Sequence, residues 1–503
     1  MRLAELMART DAAPRDVRPT SARDRDADGP EISGIAVDSR AVRPGFLFAA
    51  LPGSATDGRR FIGDAVARGA VAVLAPEGTR LPQDAAAVAL VTDPNPRRRL
   101  ALLAAAFHPG QPERVAAVTG TNGKTSTADF ARQLWTHAGL AAASLGTLGV
   151  RAPGFVRTGS LTTPDPVVLH AALADLAERG VARLAMEASS HGLDQFRLDG
   201  IRIATAAFTN LTRDHLDYHG TMAAYRTAKF RLFGEVVAAG GTAVLNADSP
   251  EFAALDALCR GRGLRVLGYG RAGADIRLER QDLHPDGQDL TIAAAGRRWE
   301  VALPLAGGFQ AMNALAALGL VLSDGVDAAA AIAGLARLEG VPGRLQRVAR
   351  LDDGAAVYVD YAHTPDALTT VLTALRPHAA GRLVCVFGCG GDRDAGKRPE
   401  MGAAVARAAD RVIVTDDNPR TEDPAAIRAA ALAAARAVGG DVREIGDRHA
   451  AIFVAVAGLG PGDVLVVAGK GHEQGQVVGT TVLPFDDAEV ARAAAAARTG
   501  GPA

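Results

Sequence analysis

A glycine-rich turn followed by lysine and threonine is the clearest chemical feature of the sequence. Residues 116–127 read AAVTGTNGKTST, an apolar strand pattern that runs through a turn into a helical pattern. Backbone N–H groups of such a turn, and of a helix N-terminus, can bind phosphate. Lys124 can then reach the β- and γ-phosphates of a nucleotide, and the Thr125 hydroxyl can ligate Mg²⁺. Val118 stands where the usual motif has its first glycine, so we interpret the loop as a tightened variant that begins at Gly120.

Polar side chains follow two further apolar runs. Glu187 ends the run ARLAME, which we expect to lie beside the phosphate-loop strand, where a carboxylate can hold Mg²⁺ directly or through water. His215 follows the run ending in FTN. Lys229 lies on the helical pattern after it, which predicts a helix over residues 222–240. The alternative for Glu187 is an exposed glutamate in a turn. The alternative for His215 is a hydrogen-bonded histidine without catalytic function.

Three polar turns occur in the last third of the chain. GCGGDRDAGKRP carries Arg393 and Lys397, VTDDNPRTEDP carries Arg420, and AGKGHEQ carries Lys470 and Glu473. Each turn follows an apolar strand pattern. In open parallel sheets of α/β proteins, ligands bind at the carboxyl ends of the strands. Guanidinium groups for a carboxylate and a carboxylate for an ammonium could together surround a small zwitterion. Taken singly, each turn could be ordinary chain reversal.

Lysine is scarce in this chain. Of 55 basic residues only four are lysine, at Lys124, Lys229, Lys397 and Lys470. A chain that uses arginine for almost all of its surface charge should keep lysine chiefly where a compact primary amine is needed. We therefore expect these positions to include functional ones.

Length and composition limit the classes to which the protein can belong. A chain of 503 residues predicts about three domains. The composition is 48% hydrophobic and 22% charged with a formal net charge of −1, which favours neither nucleic acid nor an anionic membrane as partner. We find no apolar span of membrane length and no secretory h-region, so we expect a cytoplasmic protein. Cys259, Cys385 and Cys389 are interpreted as core residues.

The pattern predicts an α/β fold with three domains. Residues 1–110 form a small α/β domain, with short strands in ISGIAVDSR, GFLFAAL and GAVAVLA around a helix at about 60–69. Residues 111–341 alternate strand and helix patterns, which predicts a central P-loop-type, mostly parallel sheet with helices on both faces. Residues 342–503 repeat the alternation and predict a Rossmann-like C-terminal domain. The charged, proline-bearing stretch 9–30 is predicted to be a loop or disordered.

These motifs together resemble the Mur ligase family, ATP-dependent amide-forming enzymes of peptidoglycan precursor synthesis. The resemblance runs from about residue 32 to residue 476 and is carried by TGTNGKT, MEASSHGLDQFR, FTNLTRDHLDYHG, VPGRLQRV, DYAHTPDAL, FGCGGDRDAGKRPEMG, TDDNPRTEDP and AGKGHE. Within the family, the motifs resemble those of the branch that adds the third residue of the peptide. DNPR implies meso-2,6-diaminopimelate rather than L-lysine as that residue. The implied reaction joins diaminopimelate to UDP-N-acetylmuramoyl-L-alanyl-D-glutamate through an acyl phosphate.

The resemblance also implies functions for individual residues. The ATP-binding residues would be Gly120, Thr121, Asn122, Gly123, Lys124, Thr125, Ser126, Asn313 and Arg344. The UDP-substrate residues would be Val37, Ser39, Thr162, Thr163, Ser189, Gln195 and Arg197. The diaminopimelate residues would be Arg393, Asp417, Asn418, Pro419, Arg420, Gly469 and Glu473. The metal ligands for Mg²⁺ would be Thr125, Glu187, His215 and Lys229, the last if it is carbamylated to N6-carboxylysine; the catalytic residues would be Lys124, Lys229 and His215.

The sequence departs from the family pattern at Gln310, where asparagine is usual. Partners are expected to be small molecules only, namely ATP, the UDP-muramoyl dipeptide and diaminopimelate, and the protein is expected to be a monomer. Three other protein classes share part of this pattern. Folylpolyglutamate synthase shares the ATP loop but not the DSR and DNPR motifs. A lysine-adding synthetase would leave Arg420 unpaired, and a regulatory nucleotide switch would need the phosphate loop alone.

Overall fold

The computed structural model describes residues 1–10, 17–18, 28–53, 56–85, 88–159 and 161–499. It divides into two compact units, Met1–Gly268 with Gly319–Gly325, and Tyr269–Leu318 with Val326–Ala503. Most of the stretch 9–30 that we predicted to be a loop lies outside the described residues.

The first unit begins with a small, mostly parallel sheet in the order β1-β5-β4-β3-β2, in which only β1 is antiparallel to its neighbour among the described pairings. Its elements are β1 (Val17–Arg18), β2 (Gly34–Ala36), β3 (Phe46–Ala49), β4 (Ala70–Pro76), β5 (Ala89–Asp93), α1 (Leu3–Ala8), α2 (Ile62–Ala67) and α3 (Pro96–Phe107). Leu47 and Leu74 pack in one buried cluster, and Phe48 and Val73 pack in another. Both faces of the sheet are therefore covered, as parallel strands require. The predicted small α/β domain is confirmed.

In the rest of the first unit the strands lie side by side in the order β13-β12-β11-β6-β10-β7-β8-β9, and β13 extends past the end of this unit at Gly268. Its strands are β6 (Arg114–Thr119), β7 (Ala142–Gly146), β8 (Gly149–Ala152), β9 (Phe155–Arg157), β10 (Arg183–Glu187), β11 (Ile203–Phe208), β12 (Val237–Asn246) and β13 (Arg265–Gly270). Its helices are α4 (Lys124–His137), α5 (Pro166–Glu178), α6 (Ser190–Asp194), α7 (Leu216–His219), α8 (Met222–Arg231) and α9 (Phe252–Gly261).

The strand β6 that precedes the glycine turn pairs in parallel with β10 on one side and β11 on the other. Glu187 lies opposite Val118, and Phe208 lies opposite Thr119. The carboxyl ends of these strands therefore meet at one edge of the sheet. The expectation that the strand of Glu187 lies beside the phosphate-loop strand is confirmed.

One helix is shorter than its sequence pattern indicates. The pattern predicts helix through residue 240, but α8 ends at Arg231, a π-helical turn covers Leu232–Val236, and β12 begins at Val237. Two glycines explain the change. Gly240 has a φ of +71°, and a Cβ on Gly241 would lie 2.7 Å from the Ala204 carbonyl oxygen, so the chain closes tightly on β11 here.

The second unit contains an antiparallel segment and a further parallel sheet. The antiparallel strands are β14 (Ile276–His284), β15 (Gly287–Ala294) and β16 (Arg297–Leu303), and the chain continues through α10 (Phe309–Ser323) and α11 (Ala328–Leu335). The remaining strands are β17 (Gln346–Arg350), β18 (Ala356–Asp360), β19 (Leu383–Cys389), β20 (Arg411–Asp416), β21 (Asp441–Glu444), β22 (Val464–Ala468), β23 (Gly475–Val478) and β24 (Thr481–Pro484). The helices are α12 (Pro365–Leu375), α13 (Lys397–Ala408), α14 (Pro424–Val438), α15 (Arg448–Ala457) and α16 (Asp487–Arg498).

The C-terminal sheet has the order β17-β18-β22-β19-β20-β21 and is parallel apart from β17. Phe387 of β19 packs in the cluster that contains Leu372 of α12, whereas Val386 packs in the cluster that contains Ile452 of α15. Helices therefore cover both faces of this sheet, and the strands point their carboxyl ends at the predicted polar turns. The α/β class and the Rossmann-like C-terminal layout are confirmed; the boundaries at 110 and 341 stay a prediction.

The three cysteines are free and buried in hydrophobic clusters, so the prediction that they are core residues is confirmed. Burial raises the pKa of Cys259 to about 11 and that of Cys389 to about 12, so neither is a ready nucleophile. Among the described residues, no helix is both long enough and apolar enough to span a bilayer.

Candidate active site

Two glycines shape the turn between β6 and α4. Gly123 is the N-cap of α4 with a φ of +86°, a left-handed conformation that suits glycine. Gly120 has a φ of +147°, and a Cβ there would lie 1.9 Å from the Thr209 hydroxyl oxygen. The turn therefore requires glycine at both positions, and it leads into the N-terminus of α4, a type of position that can bind an anion.

The end of β11 holds this turn in place. The Thr209 hydroxyl donates to the Asn122 carbonyl oxygen at 2.6 Å. Asn122 N–H donates to Asn210 Oδ1 at 3.0 Å, and Thr121 N–H donates to the Asn210 carbonyl oxygen at 2.9 Å. Our sequence reasoning missed Thr209 and Asn210 as supports of the loop. The signal was the polar pair TN directly after an apolar strand that neighbours β6.

Two of the four lysines converge on one carbonyl oxygen of the loop. Lys124 Nζ donates to the Gly120 oxygen at 2.9 Å, and Lys229 Nζ donates to the same oxygen at 2.7 Å. Lys229 is 1% exposed, and its Nζ lies 4.4 Å from the centre of the Tyr225 ring. Burial, helped by the positive charge of Lys124, lowers the pKa of Lys229 to about 6. Near neutral pH the folded protein therefore holds Lys229 largely as a neutral amine.

Glu187 lies beside the first turn of α4. Its Oε2 accepts a hydrogen bond from the Thr125 hydroxyl at 3.0 Å, and its Oε1 accepts one from Thr147 N–H at 2.7 Å. A Cβ on Gly146 would lie 2.1 Å from Oε1, so the carboxylate packs directly on that glycine. Thr125 and Glu187 are both buried and supply adjacent oxygen atoms, the ligand type that Mg²⁺ prefers. These two residues fit a magnesium ion; Thr147 is a contact that sequence reasoning missed.

His215 lies in a more open setting. Its φ is +51°, its side chain is 46% exposed, and its ring packs 5.0 Å from that of His191. No group of three or more histidine, cysteine or acidic side chains that could hold a metal ion occurs among the described residues. The assignment of His215 as a magnesium ligand stays a prediction.

Several predicted UDP-substrate residues form one hydrogen-bonded network beside Glu187. The Thr163 hydroxyl donates to the Glu187 carbonyl oxygen at 2.9 Å and accepts from Ser189 N–H at 3.0 Å. Arg197 donates to the Thr163 carbonyl oxygen at 2.6 Å and to Gln195 Oε1 at 2.8 Å. The structure therefore brings Thr163, Ser189, Gln195 and Arg197 together.

Thr162 joins the Glu187 side of this network. Its hydroxyl is 3.0 Å from the hydroxyl of Thr147. Ser39 is buried at the start of a short 3-10 turn after β2, and Val37 beside it is 41% exposed. Within the described residues, no hydrogen bond links Val37 or Ser39 to the network of Thr163.

The other two predicted ATP residues lie in the second unit. Asn313 Nδ2 donates to Gln310 Oε1 at 2.9 Å, and Gln310 Nε2 donates to the Arg344 carbonyl oxygen at 3.4 Å. Gln310, the departure from the family pattern, thus connects them. The Arg344 guanidinium carbon lies 5.2 Å from the Tyr361 ring centre.

The predicted amino-acid residues lie on turns after β19, β20 and β22. Arg420 is partly buried in a left-handed conformation with a φ of +52°, and its Nη1 donates to the Gly391 carbonyl oxygen at 2.7 Å. Gly391 N–H in turn donates to the Asn418 carbonyl oxygen at 2.9 Å. The two turns are therefore tied together, and one edge of the Arg420 guanidinium is fixed.

The remaining residues of this group surround Arg420's turn. Gly469 has a φ of +118°, and a Cβ there would lie 2.6 Å from Asp417 Oδ2, so only glycine fits beside that buried carboxylate. Asn418 Nδ2 donates to Glu473 Oε2 at 3.0 Å. Pro419 is buried, whereas Arg393 is exposed.

Comparison with known proteins agrees with the motifs. Family profiles described as the Mur ligase family catalytic domain, the Mur ligase middle domain, and the Mur ligase glutamate ligase domain match residues 31–108, 118–321 and 343–471. The UDP-N-acetylmuramoyl-L-alanyl-D-glutamate–2,6-diaminopimelate ligase of Bradyrhizobium diazoefficiens is 56% identical over 476 residues, which are 93% of this chain and 96% of that protein. The chain belongs to the Mur ligase family.

Two further proteins resemble this Mur ligase over most of its length. The enzyme of the same name from Caulobacter vibrioides is 55% identical over 467 residues, 92% of this chain and 95% of that protein. A solved structure of a UDP-N-acetylmuramoyl-L-alanyl-D-glutamate–2,6-diaminopimelate ligase matches with 36% identity and a TM-score of 0.70, and the match covers 93% of this chain and 95% of that one. The individual residue functions in this Mur ligase stay predictions.

Proposed function

We propose that this Mur ligase joins meso-2,6-diaminopimelate to UDP-N-acetylmuramoyl-L-alanyl-D-glutamate, with hydrolysis of ATP to ADP and phosphate, in peptidoglycan precursor synthesis. The observation that carries the proposal is the 56% identity, over 93% of the chain, to an enzyme of that name. We assign residues 1–110 to the UDP-substrate, 111–341 to ATP and 342–503 to the amino acid. We further propose that the enzyme is cytoplasmic and monomeric.

The chemistry begins with an unreactive acid. A carboxylate does not accept an amine unaided, because the leaving group would be oxide. The γ-phosphoryl group of ATP is therefore transferred to the γ-carboxylate of the D-glutamyl residue, which gives an acyl phosphate. Lys124 and the N–H groups of residues 123–126 hold the phosphates. Thr125 and Glu187 would hold Mg²⁺, which when bound neutralises phosphate charge.

The second half-reaction is amide formation. The free amine of diaminopimelate attacks the acyl phosphate, a tetrahedral intermediate forms, and phosphate leaves as the amide is completed. In our proposal Arg420 and Arg393 bind carboxylate oxygens of the amino acid, and Glu473 binds an ammonium. Positioning supplies most of this catalysis, because the reaction requires no covalent bond to the protein.

We also propose that Lys229 becomes N6-carboxylysine. A neutral amine attacks CO₂ and releases one proton, which yields a carbamate anion whose oxygens could hold a second magnesium ion. The proposal is supported by the burial of Lys229 and by its lowered pKa of about 6. Incubation with ¹³C-bicarbonate should give a carbamate ¹³C NMR signal in the wild type that is absent from Lys229→Met. Absence of the signal from the wild type would remove this part of the proposal.

Lys229 also makes a pH-dependent stability prediction. Its ordinary pKa is 10.5, and its folded-state pKa is about 6. Between these values the unfolded chain binds a proton that the folded chain does not, so stability is lost as pH falls and the whole penalty is present below about pH 6. The variant Lys229→Met avoids this penalty. In CO₂-free solution its free energy of unfolding minus that of the wild type should therefore be larger at pH 6 than at pH 10, by about 1 kcal/mol or more. Urea unfolding at both pH values measures this; an equal effect at the two values would contradict it.

Arg420→Lys tests recognition of the acceptor. Lysine keeps the charge but loses the planar fork, so the KM for diaminopimelate should rise by about tenfold. Phosphate release with diaminopimelate and with lysine as acceptors measures both the KM and the preference. Arg436→Lys, at an exposed position on α14, is the matched control. An unchanged KM in Arg420→Lys would assign the distal carboxylate to another residue.

Substrate omission tests the proposed function against its alternatives. Phosphate release should require the UDP-muramoyl dipeptide, and full turnover should require diaminopimelate. A regulatory nucleotide switch would hydrolyse ATP equally without either. Turnover with a folate substrate and glutamate would favour folylpolyglutamate synthase instead.

A further inference from the structure

The proposed function assigns no role to Lys470. It lies in the turn after β22, and its side chain is 0% exposed. Its Nζ donates to Asn418 Oδ1 at 2.9 Å. It also donates to Glu473 Oε2 at 3.3 Å, and the two charged groups form an ion pair. Both partners belong to the set that we assign to the amino-acid acceptor. A side chain without exposed surface cannot itself serve as a contact for the acceptor in this conformation.

The amide of Asn418 is fixed by three contacts. Its Oδ1 accepts from Lys470 Nζ and also from Val477 N–H at 2.9 Å. Its Nδ2 donates to Glu473 Oε2 at 3.0 Å. A flipped amide would place the NH₂ group against an ammonium and an N–H group, both of which are donors. Lys470, together with Val477 N–H, therefore fixes which end of the Asn418 amide meets Glu473.

Glu473 is held by one of its two carboxylate oxygens. Oε2 receives Asn418 Nδ2 and Lys470 Nζ. Within the part of the chain that the structure describes, no side-chain hydrogen bond or ion pair engages Oε1, and the Glu473 side chain is 36% exposed. One oxygen is thus fixed from the protein side, and the other is left to accept from an incoming ammonium.

We propose that Lys470 is a positioning residue for the amino-acid acceptor, acting through Asn418 and Glu473. This inference rests on the proposed function. It explains why an arginine-rich chain uses lysine here: three hydrogens on a compact ammonium can serve two acceptors that lie close together. The turn is also tight, because Cβ atoms on Gly469 and Gly471 would lie 2.6 Å from Asp417 Oδ2 and 2.7 Å from Tyr361 Cβ.

The test compares Lys470→Met, Glu473→Gln and the double variant by steady-state kinetics. Lys470→Met should raise the KM for diaminopimelate by about tenfold to a hundredfold, because a charge-assisted contact to each partner is lost. The KM values for ATP and the UDP-substrate should stay within about twofold. The effect of the double variant should be smaller than the product of the two single effects, since the two changes act on one contact network.

A purely structural Lys470 predicts a different pattern. It would lower kcat or thermal stability without a selective change in the acceptor KM, and its effect would multiply with that of Glu473→Gln; either result overturns the inference. Lys470→Gln keeps one neutral donor and should give an intermediate KM, so the inference stays testable if the methionine variant does not fold. Arg443→Met, which removes an exposed cation paired with Asp441, is the control and should leave all KM values unchanged.

Failure of this inference can be told apart from failure of the proposed function. Wild-type turnover is first measured with diaminopimelate and with lysine. Use of lysine alone refutes the proposed acceptor, and the Lys470 variants are then judged by the KM for lysine. Turnover with neither amino acid overturns both the proposed function and the inference that depends on it. Turnover of diaminopimelate with unchanged acceptor KM values in the variants overturns the inference alone.

Discussion

Replacing Lys124 with methionine is expected to lower the rate of phosphate release by about a hundredfold to a thousandfold. Lys124 lies at the start of α4 with its Nζ 2.9 Å from the carbonyl oxygens of Gly120 and Thr121, so the ammonium is held at the mouth of the glycine turn. In our account it stabilises the negative charge of the transferring phosphoryl group. Methionine has a similar length and no charge, and the loop is still held by Thr209 and Asn210.

Steady-state phosphate release at saturating diaminopimelate and UDP-muramoyl dipeptide measures this effect. Circular dichroism and thermal unfolding should show that Lys124→Met folds like the wild type. Arg443→Met serves again as a control, since its guanidinium is exposed in the other unit. A loss below tenfold in Lys124→Met would mean that the phosphates are held elsewhere.

Replacing Asp487 with asparagine is expected to destabilise the protein by about 3–5 kcal/mol. Asp487 and Arg448 form an ion pair in which both side chains are 0% exposed, with contacts of 2.7 Å from Nε and Nη2. Although burial alone lowers it, the pKa of Arg448 is raised overall by Asp487. The asparagine variant leaves a buried positive charge without its counter-ion. Arg448 also donates to the carbonyl oxygens of Ala468 and Asp416, which end β22 and β20, so the acceptor turns should loosen as well.

Urea unfolding of Asp487→Asn, of the double variant Arg448→Met with Asp487→Leu, and of Asp441→Asn measures this contribution. The double variant replaces the ion pair with apolar groups and should recover most of the lost stability. Asp441 pairs with both Arg411 and Arg443 through a side chain that is 37% exposed, so its loss should cost about 1 kcal/mol. Equal losses in Asp487→Asn and Asp441→Asn would show that burial of the Arg448 pair does not matter.

Much of the fold could be predicted because its local signals agree. Several helices begin where the sequence reads a capping residue and proline, as at Asp165-Pro166, Thr364-Pro365 and Asp423-Pro424, and each capping side chain accepts an N–H of the first turn. Apolar runs between these helices gave the parallel strands. Continuous apolar runs are typical of strands buried on both faces, so they stand out in a sequence.

Other elements were missed for identifiable reasons. Strands β14 to β16 were not predicted, although an Asp-Gly pair at 286–287 marks the turn between the first two. Their exposed faces carry charged side chains, which hid the alternating apolar positions such as Leu278 and Ile292. The helix predicted to reach residue 240 failed because Gly240 and Gly241 suit a close approach to β11, a contact distant in sequence.

In the candidate site, too, features that are local in the sequence could be predicted, whereas contacts between residues far apart in the sequence could not. Lysine scarcity and strand-end position singled out Lys124, Lys229 and Glu187 without any structure. The convergence of both lysines on the Gly120 oxygen could not be predicted, because it depends on how α8 packs beneath a loop 109 residues earlier. The contact of Thr147, in the turn after β7, with Glu187, at the end of β10, likewise joins residues that are 40 positions apart.

The central claim is that ATP activates the glutamyl acid for attack by diaminopimelate, and an isotope experiment tests it most directly. UDP-muramoyl dipeptide labelled with ¹⁸O in both γ-carboxylate oxygens is incubated with enzyme, ATP and diaminopimelate, and phosphate and product are analysed by mass spectrometry. We predict that each released phosphate carries one ¹⁸O atom and that the product has gained one diaminopimelate residue and kept the other ¹⁸O. Unlabelled phosphate, or product formed without diaminopimelate, would contradict the account.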